Sequence, residues 1–277
     1  MSTFTLPDSD PPCAVHLPHD LTEKQLLSFP AFKTWSSTLL HSFSLQQNNK
    51  LEFHKAPFKL RSINVQAVDW FRSGEKKRLG FIKLQAEITN DDGGYLPGAV
   101  FMRGGSIAML LILQPDDVPE DEERDKHVLL AIQPRIAAGS LGFSEIPAGM
   151  LDDAGSFSGG AAKEIEEETG LKVKADELID MTALALEDEK GEEKLQKGVY
   201  STRGGCDEFI PMFLYQKRIP RSELQDFQGK LIGLRDEGEK ITLKVVRLED
   251  LWREGARDAK TLAALSLYQN LKRVGKL

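Results

Sequence analysis

Between Gly149 and Leu171 the chain passes from a glycine- and serine-rich stretch into a short run of helix formers carrying Glu164, Glu166, Glu167 and Glu168. No other segment restricts the fold as much. Ser156, Ser158 and two glycines precede the run Ala161–Glu168, and Gly170 stands where a helix ends in the left-handed conformation. At about 100° per residue, Glu164, Glu167 and Glu168 share one helical face while Ala161 and Ile165 turn to another. Like charges at that spacing cost an exposed helix about 0.2–0.5 kcal/mol per pair. They also oppose the helix dipole in the C-terminal half. A hard divalent cation offsets both penalties, because oxygen ligands suit Mg²⁺ or Mn²⁺, with water and phosphate oxygens completing the shell. A bare Glu-x-x-Glu-Glu is more often a solvated acidic face. The glycine-rich loop before it and the glycine after it favour the metal.

Composition narrows the partners. The chain has 277 residues, 40% hydrophobic and 29% charged, enough for a catalytic domain with a smaller appendage. Its net charge of −7 argues against a broad nucleic-acid footprint, so cations for an anionic ligand must be local or metallic. Cys13 and Cys206 are the only cysteines, which excludes a disulfide framework or thiolate zinc cluster within one chain and suits a reducing compartment. The longest apolar run, around Ile107–Leu113, falls far short of the ~20 residues of a membrane span and reads as a buried strand. The N-terminus lacks the marks of a signal or transit peptide, so the expected location is cytoplasmic.

Residues 1–20, rich in proline and aspartate, are expected to be disordered or loosely docked. Helical spacing follows over Leu21–Phe29 and from Pro30 to about Leu45, with Trp35, Leu39, Leu40 and Phe43 as an apolar stripe. From Phe58 the period shifts to two, giving strands over Phe58–Phe71, Leu79–Thr89 and Ala99–Met102. Residues 21–103 thus read as an N-terminal domain of helices and antiparallel sheet. Residues 104–277 read as the catalytic domain, with strands near Ile107–Leu113, His127–Gln133, Phe209–Gln216 and Thr242–Arg247. A last helix runs from about Asp258 to Lys272. The acidic stretches Pro115–Asp125 and Glu187–Glu193 read as solvated loops, the first being out of register for an EF-hand. The fold class is α/β: an α/β/α sandwich behind a β-rich N-terminal domain preceded by helices.

In register, Gly149, Glu164, Ile165, Glu167, Glu168, Gly170 and Leu171 resemble the Nudix box. Gly155 stands where that family has its first glutamate, and Lys163 where it has arginine. The resemblance implies metal ligation by Glu164 and Glu168, with Glu167 nearby. Gln133-Pro-Arg135, Ser144-Glu145-Ile-Pro-Ala148-Gly149 and Gly204-Gly-Cys-Asp-Glu208 are similar to the ADP-ribose and ADP-sugar pyrophosphatase branch, most of all to its plant-type members. That likeness implies substrate contacts from Arg135, Arg103 and Glu208, and a metal contact from the Ala148 carbonyl, helped by Glu145. Arg203 replaces the usual proline of the downstream segment.

Hydrolysis of a diphosphate needs a deprotonated water in line with the leaving phosphate, and a carboxylate outside the metal helix can hold it. Glu237 and Glu239 flank Gly238 in an acidic loop, and either could serve. The resemblance implies metal-dependent hydrolysis of ADP-ribose or ADP-glucose to AMP and a sugar phosphate, by a homodimer; from charge and hydropathy no nucleic-acid or membrane partner is expected. NADH and coenzyme A remain alternative substrates, and Gly155 and Lys163 leave open a nucleotide-sugar binder with a degraded site.

Overall fold

The computed structural model describes residues 2–73, 76–151, 157–233 and 240–277. Two compact units emerge, Met1–Gly105 with Glu189–Gln196 and Thr202–Phe209, and Ser106–Asp188 with Lys197–Ser201 and Ile210–Leu277.

The first unit begins with β1 (Ser2–Thr5) and β2 (Ala14–Leu17), continues through α1 (Glu23–Ser28) and α2 (Pro30–Leu45), and then forms β3 (Lys59–Ser73), β4 (Lys76–Thr89), β5 (Tyr95–Leu96) and β6 (Ala99–Met102). Thr22 and Gln25 close a reciprocal capping box on α1, and Pro30 opens α2 with the φ a first helical turn requires. The sheet order is β1-β2-β3-β4-β5, with β6 also on β4. Ile63 and Val65 alternate with Ile82, Leu84 and Ala86 on its inner face, and the Trp35, Leu39, Leu40 and Phe43 stripe of α2 packs against them.

The expectation of a loose tail at 1–20 is corrected by this unit. Cys13, Val15 and Leu17 are buried, and β2 pairs in parallel with β3 through Ala14↔Ser62 and Val15↔Ile63. The alternation Val15-His16-Leu17 is too short to stand out among the prolines and aspartates around it. Only the distant partner strand makes it a strand. Two strands therefore precede the helices, where the sequence suggested helices first.

In the second unit, β7 (Ser106–Pro115), β8 (His127–Arg135), β9 (Ser140–Glu145) and β10 (Ala148–Met150) lead to α3 (Phe157–Thr169). They are followed by β11 (Ile179–Asp180), α4 (Met181–Ala185), β12 (Met212–Ile219), α5 (Arg221–Asp226), β13 (Leu231–Ile232), β14 (Ile241–Arg247), α6 (Leu251–Glu254) and α7 (Ala259–Arg273). The order β11-β12-β7-β8-β14-β13 puts β7 near the centre, parallel to β12, and every residue of β7 is buried. A strand covered on both faces reads as a continuous apolar run, as this one does. Ala108, Leu110 and Ile112 meet Ala264, Leu265 and Tyr268 of α7. On the opposite face Ile107, Met109 and Leu111 meet Ala161 and Ile165 of α3. The layers are thus α/β/α.

The acidic loop between β7 and β8 is paired rather than merely solvated. Arg221 reaches Asp117 and Asp125 at 2.8 Å each, and Lys126 and Lys272 both reach Glu123. Among the described residues no helix is long and apolar enough to cross a membrane.

Candidate active site

The site is organised by the crossing from β9 to β10. Glu145 ends β9 opposite Ala131 of β8, whereas Ala148 and Gly149 pair with Ala108 and Ile107 of β7. Ile146 and Pro147 step between the two strands, and the Met109 amide donates to the Pro147 carbonyl at 2.9 Å. α3 then lays its carboxylates on β10. Glu168 Oε2 accepts from the Ala148 amide at 3.0 Å, and Oε1 accepts from Gln133 Nε2 at 3.4 Å. One turn earlier, the Glu164 carboxyl lies against the Cα of Gly149, where any Cβ would overlap it. Gly170, at φ 76°, ends the helix, with its amide donating to the Glu166 carbonyl.

Burial decides the electrostatics. Glu168 is 3% exposed, and desolvation, then the charge of Glu164 and more weakly that of Glu145, push its pKa up to about 8 against the pull of the Ala148 amide. A carboxyl crowded this way takes a proton when no cation is near. The Glu167 carboxylate is 3.7 Å from Lys163 Nζ along the helix, a long, partly exposed pair of little energetic weight. Among the described residues, no three His, Cys, Asp or Glu side chains group as a metal cage. The donors present suit an ion that binds through one or two carboxylates and keeps water and phosphate oxygens for the rest, which is the habit of Mg²⁺.

Beside this pair runs a chain of buried ions. Glu145, 2% exposed, accepts from Arg135 Nε at 2.6 Å on Oε1 and from Lys260 Nζ at 2.8 Å on Oε2. Lys260 also donates to Asp258 Oδ1 at 2.9 Å. Asp258 caps α7, accepting from the Lys260 and Thr261 amides and the Thr261 hydroxyl, which in turn accepts from the Ile146 amide at 3.1 Å. Desolvation works against the Lys260 charge, but Glu145 and Asp258 outweigh it and raise its pKa above the ordinary lysine value.

Arg103 and Glu208 lie in the first unit and pair with each other at 3.2 Å. Asp207 accepts there from the Arg103 and Gly104 amides, and its burial raises its pKa. Glu237, Glu239 and Gly155 lie outside the described residues. Gln133, Asp258, Lys260 and Thr261 escaped the sequence reading as site residues. Asp258 before Ala-Lys-Thr is legible as a helix cap, but nothing local says that Lys260 meets a carboxylate 115 positions away.

A sequence model of the NUDIX domain matches residues 118–265. The chain is 37% identical over 218 residues to "Nudix hydrolase 14, chloroplastic" of Arabidopsis thaliana, covering 78% of this chain and 64% of that protein, so it spans just under two thirds of the relative's length. A solved structure described as "Crystal structure of ADP compounds hydrolase" is 17% identical, with a TM-score of 0.47 over 79% of this chain and 99% of that one.

Proposed function

The chain belongs to the Nudix hydrolase family, and we propose that it hydrolyses the diphosphate bond of ADP-sugars such as ADP-ribose or ADP-glucose, releasing AMP and a sugar phosphate. The observation that carries the reading is the pair Glu164 and Glu168, pressed onto Ala148 and Gly149 with Arg135 nearby. Mg²⁺ or Mn²⁺ would be held by Glu164 and Glu168 with the Ala148 carbonyl and Glu167, and would supply neutralisation of the phosphoryl oxygens. The chain's own residues do the rest. Arg135, anchored through Nε and 41% exposed at its side chain, has four N–H groups on its terminal nitrogens for a diphosphate. Glu237 or Glu239 orients the attacking water, and Arg103 and Glu208 contact the nucleotide sugar.

The relative whose name includes "Nudix hydrolase" supports the reaction class, and the ADP-sugar choice rests on the segments around Arg135 and Glu208. A homodimer, no nucleic-acid partner and a cytoplasmic location belong to the same proposal. Light scattering reads the first, and a fluorescent fusion decides the last against the chloroplast that the relative's name states.

The test is phosphate release, with added phosphatase, from ADP-ribose, ADP-glucose, NADH, coenzyme A and a nucleoside triphosphate, with and without Mg²⁺ or Mn²⁺. Metal-dependent turnover of the ADP-sugars is the expected result. Alanine at both Glu164 and Glu168 should abolish it, and retained turnover sinks the proposal. Silence from folded wild-type protein would favour a nucleotide-sugar binder, in which Gly155→Glu combined with Lys163→Arg should restore catalysis.

A further inference from the structure

Both oxygens of Glu145 are taken by cations inside the protein, which is an odd state for a metal ligand. Arg135 Nε holds one at 2.6 Å and Lys260 Nζ the other at 2.8 Å, with the carboxylate 2% exposed. A metal on Glu145 would have to share a buried carboxylate whose charge is already matched by two cations, and would meet their repulsion there. Lys260 in turn is fixed from behind by Asp258, whose other contacts belong to the first turn of α7. The chain Asp258–Lys260–Glu145–Arg135 therefore runs from a helix N-terminus to an arginine that is partly exposed beside the carboxylate pair.

We propose that Glu145 serves Arg135 rather than the metal, and that Lys260 is a positioning residue which fixes Glu145 so that Arg135 presents its terminal nitrogens to a diphosphate. Lys260 occupies the second oxygen, so Glu145 grips Arg135 through Nε alone. Without Lys260, the freed oxygen turns to a second guanidinium nitrogen, and the face meant for the ligand is consumed by a bidentate internal pair. The metal is left to Glu164, Glu168, Glu167 and the Ala148 carbonyl. The inference rests on the reading that Arg135 binds the substrate diphosphate.

Two titrations of the full chain decide it. Mn²⁺ is titrated without nucleotide and followed by the electron paramagnetic resonance of the free ion. ADP-ribose and inorganic diphosphate are titrated calorimetrically in EDTA, where no turnover occurs. Glu145→Gln and Lys260→Met should lower Mn²⁺ affinity by less than the roughly tenfold that disturbing a ligand or its support costs, since here neither residue is one. Arg135→Met and Lys260→Met should each weaken ADP-ribose by about tenfold, and the double variant should be no weaker than Arg135→Met alone, because the two act as one unit. Multiplicative losses in the double variant, or a tenfold fall in Mn²⁺ affinity for Glu145→Gln, overturn the proposal. If ADP-ribose does not bind but diphosphate does, with the same non-additive pattern, the substrate reading falls and the positioning chain stands. If neither binds to wild type, both fall. Circular dichroism checks folding, and Lys260→Gln, which keeps an N–H donor without the charge, replaces Lys260→Met where that variant does not fold.

Discussion

Gly149 and Glu164 are fifteen residues apart and meet because α3 lies on β10, so the glycine is required by a side chain and not by a turn. An alanine there would overlap the Glu164 carboxyl. The strand can shift little, being hydrogen-bonded to β7, so Glu164 would be displaced. Gly149→Ala is therefore expected to lower Mn²⁺ affinity and turnover by at least about tenfold, within the range for disturbing a ligand's supports. Paramagnetic resonance of free Mn²⁺ and a turnover assay check this, and unchanged affinity would refute it. Glu168 carries the pH dependence. Its pKa stands near 8 in the fold against an ordinary carboxyl value when unfolded, so the folded state binds the extra proton. In EDTA its contribution is complete below the unfolded pKa and is lost as pH rises through about 8. Glu168→Gln, which cannot ionise, should then melt higher than wild type at pH 9, by on the order of 5 °C, and about equally at pH 4. Calorimetric scans at the two pH values, in which wild type kept pace at pH 9, would count against it.

At the scale of elements, α7 does two jobs at its first turn. Asp258, 4% exposed, satisfies the Lys260 and Thr261 amides and the Thr261 hydroxyl and also receives Lys260 Nζ. Asp258→Ala should cost about 2 kcal/mol, at the upper end for losing a cap, because a buried ammonium loses a partner as well. Urea unfolding measures that, and a loss below about 0.5 kcal/mol, the range of ordinary surface changes, would show the cap to be idle. The elements differ in how far sequence reveals them. The face shared by Glu164 and Glu168 is local, fixed by 3.6 residues per turn, and is legible from their spacing alone. The α2 stripe and the alternation of β3 and β4 are legible for the same reason. The pairing of Glu145 with Lys260 and of β2 with β3 is set by distant segments that share no period, so neither leaves a trace in the sequence.

The whole molecule divides its cores unevenly along the chain. Among the described residues, both apolar layers flanking β7 draw their buried side chains from between Ile107 and Leu271. The second unit thus holds what a cooperative fold needs. Glu189–Gln196 and Thr202–Phe209, which interrupt it in sequence, belong instead to the first unit. His41 Nε2 meets the Glu192 carbonyl at 2.9 Å, the Phe101 amide donates to the Gly205 carbonyl at 2.8 Å, and Asp207 accepts from the Arg103 and Gly104 amides. A boundary at 103/104, natural from the change of sequence period, therefore divides the chain but not the contacts. A fragment spanning 106–277 should melt cooperatively, because its two apolar layers are intact. Residues 189–196 and 202–209 should lose their protection from amide exchange in it, having lost the partners that order them. Hydrogen–deuterium exchange on the fragment and the full chain makes the comparison, and equal protection of 202–209 in both would mean that those residues are ordered without the first unit.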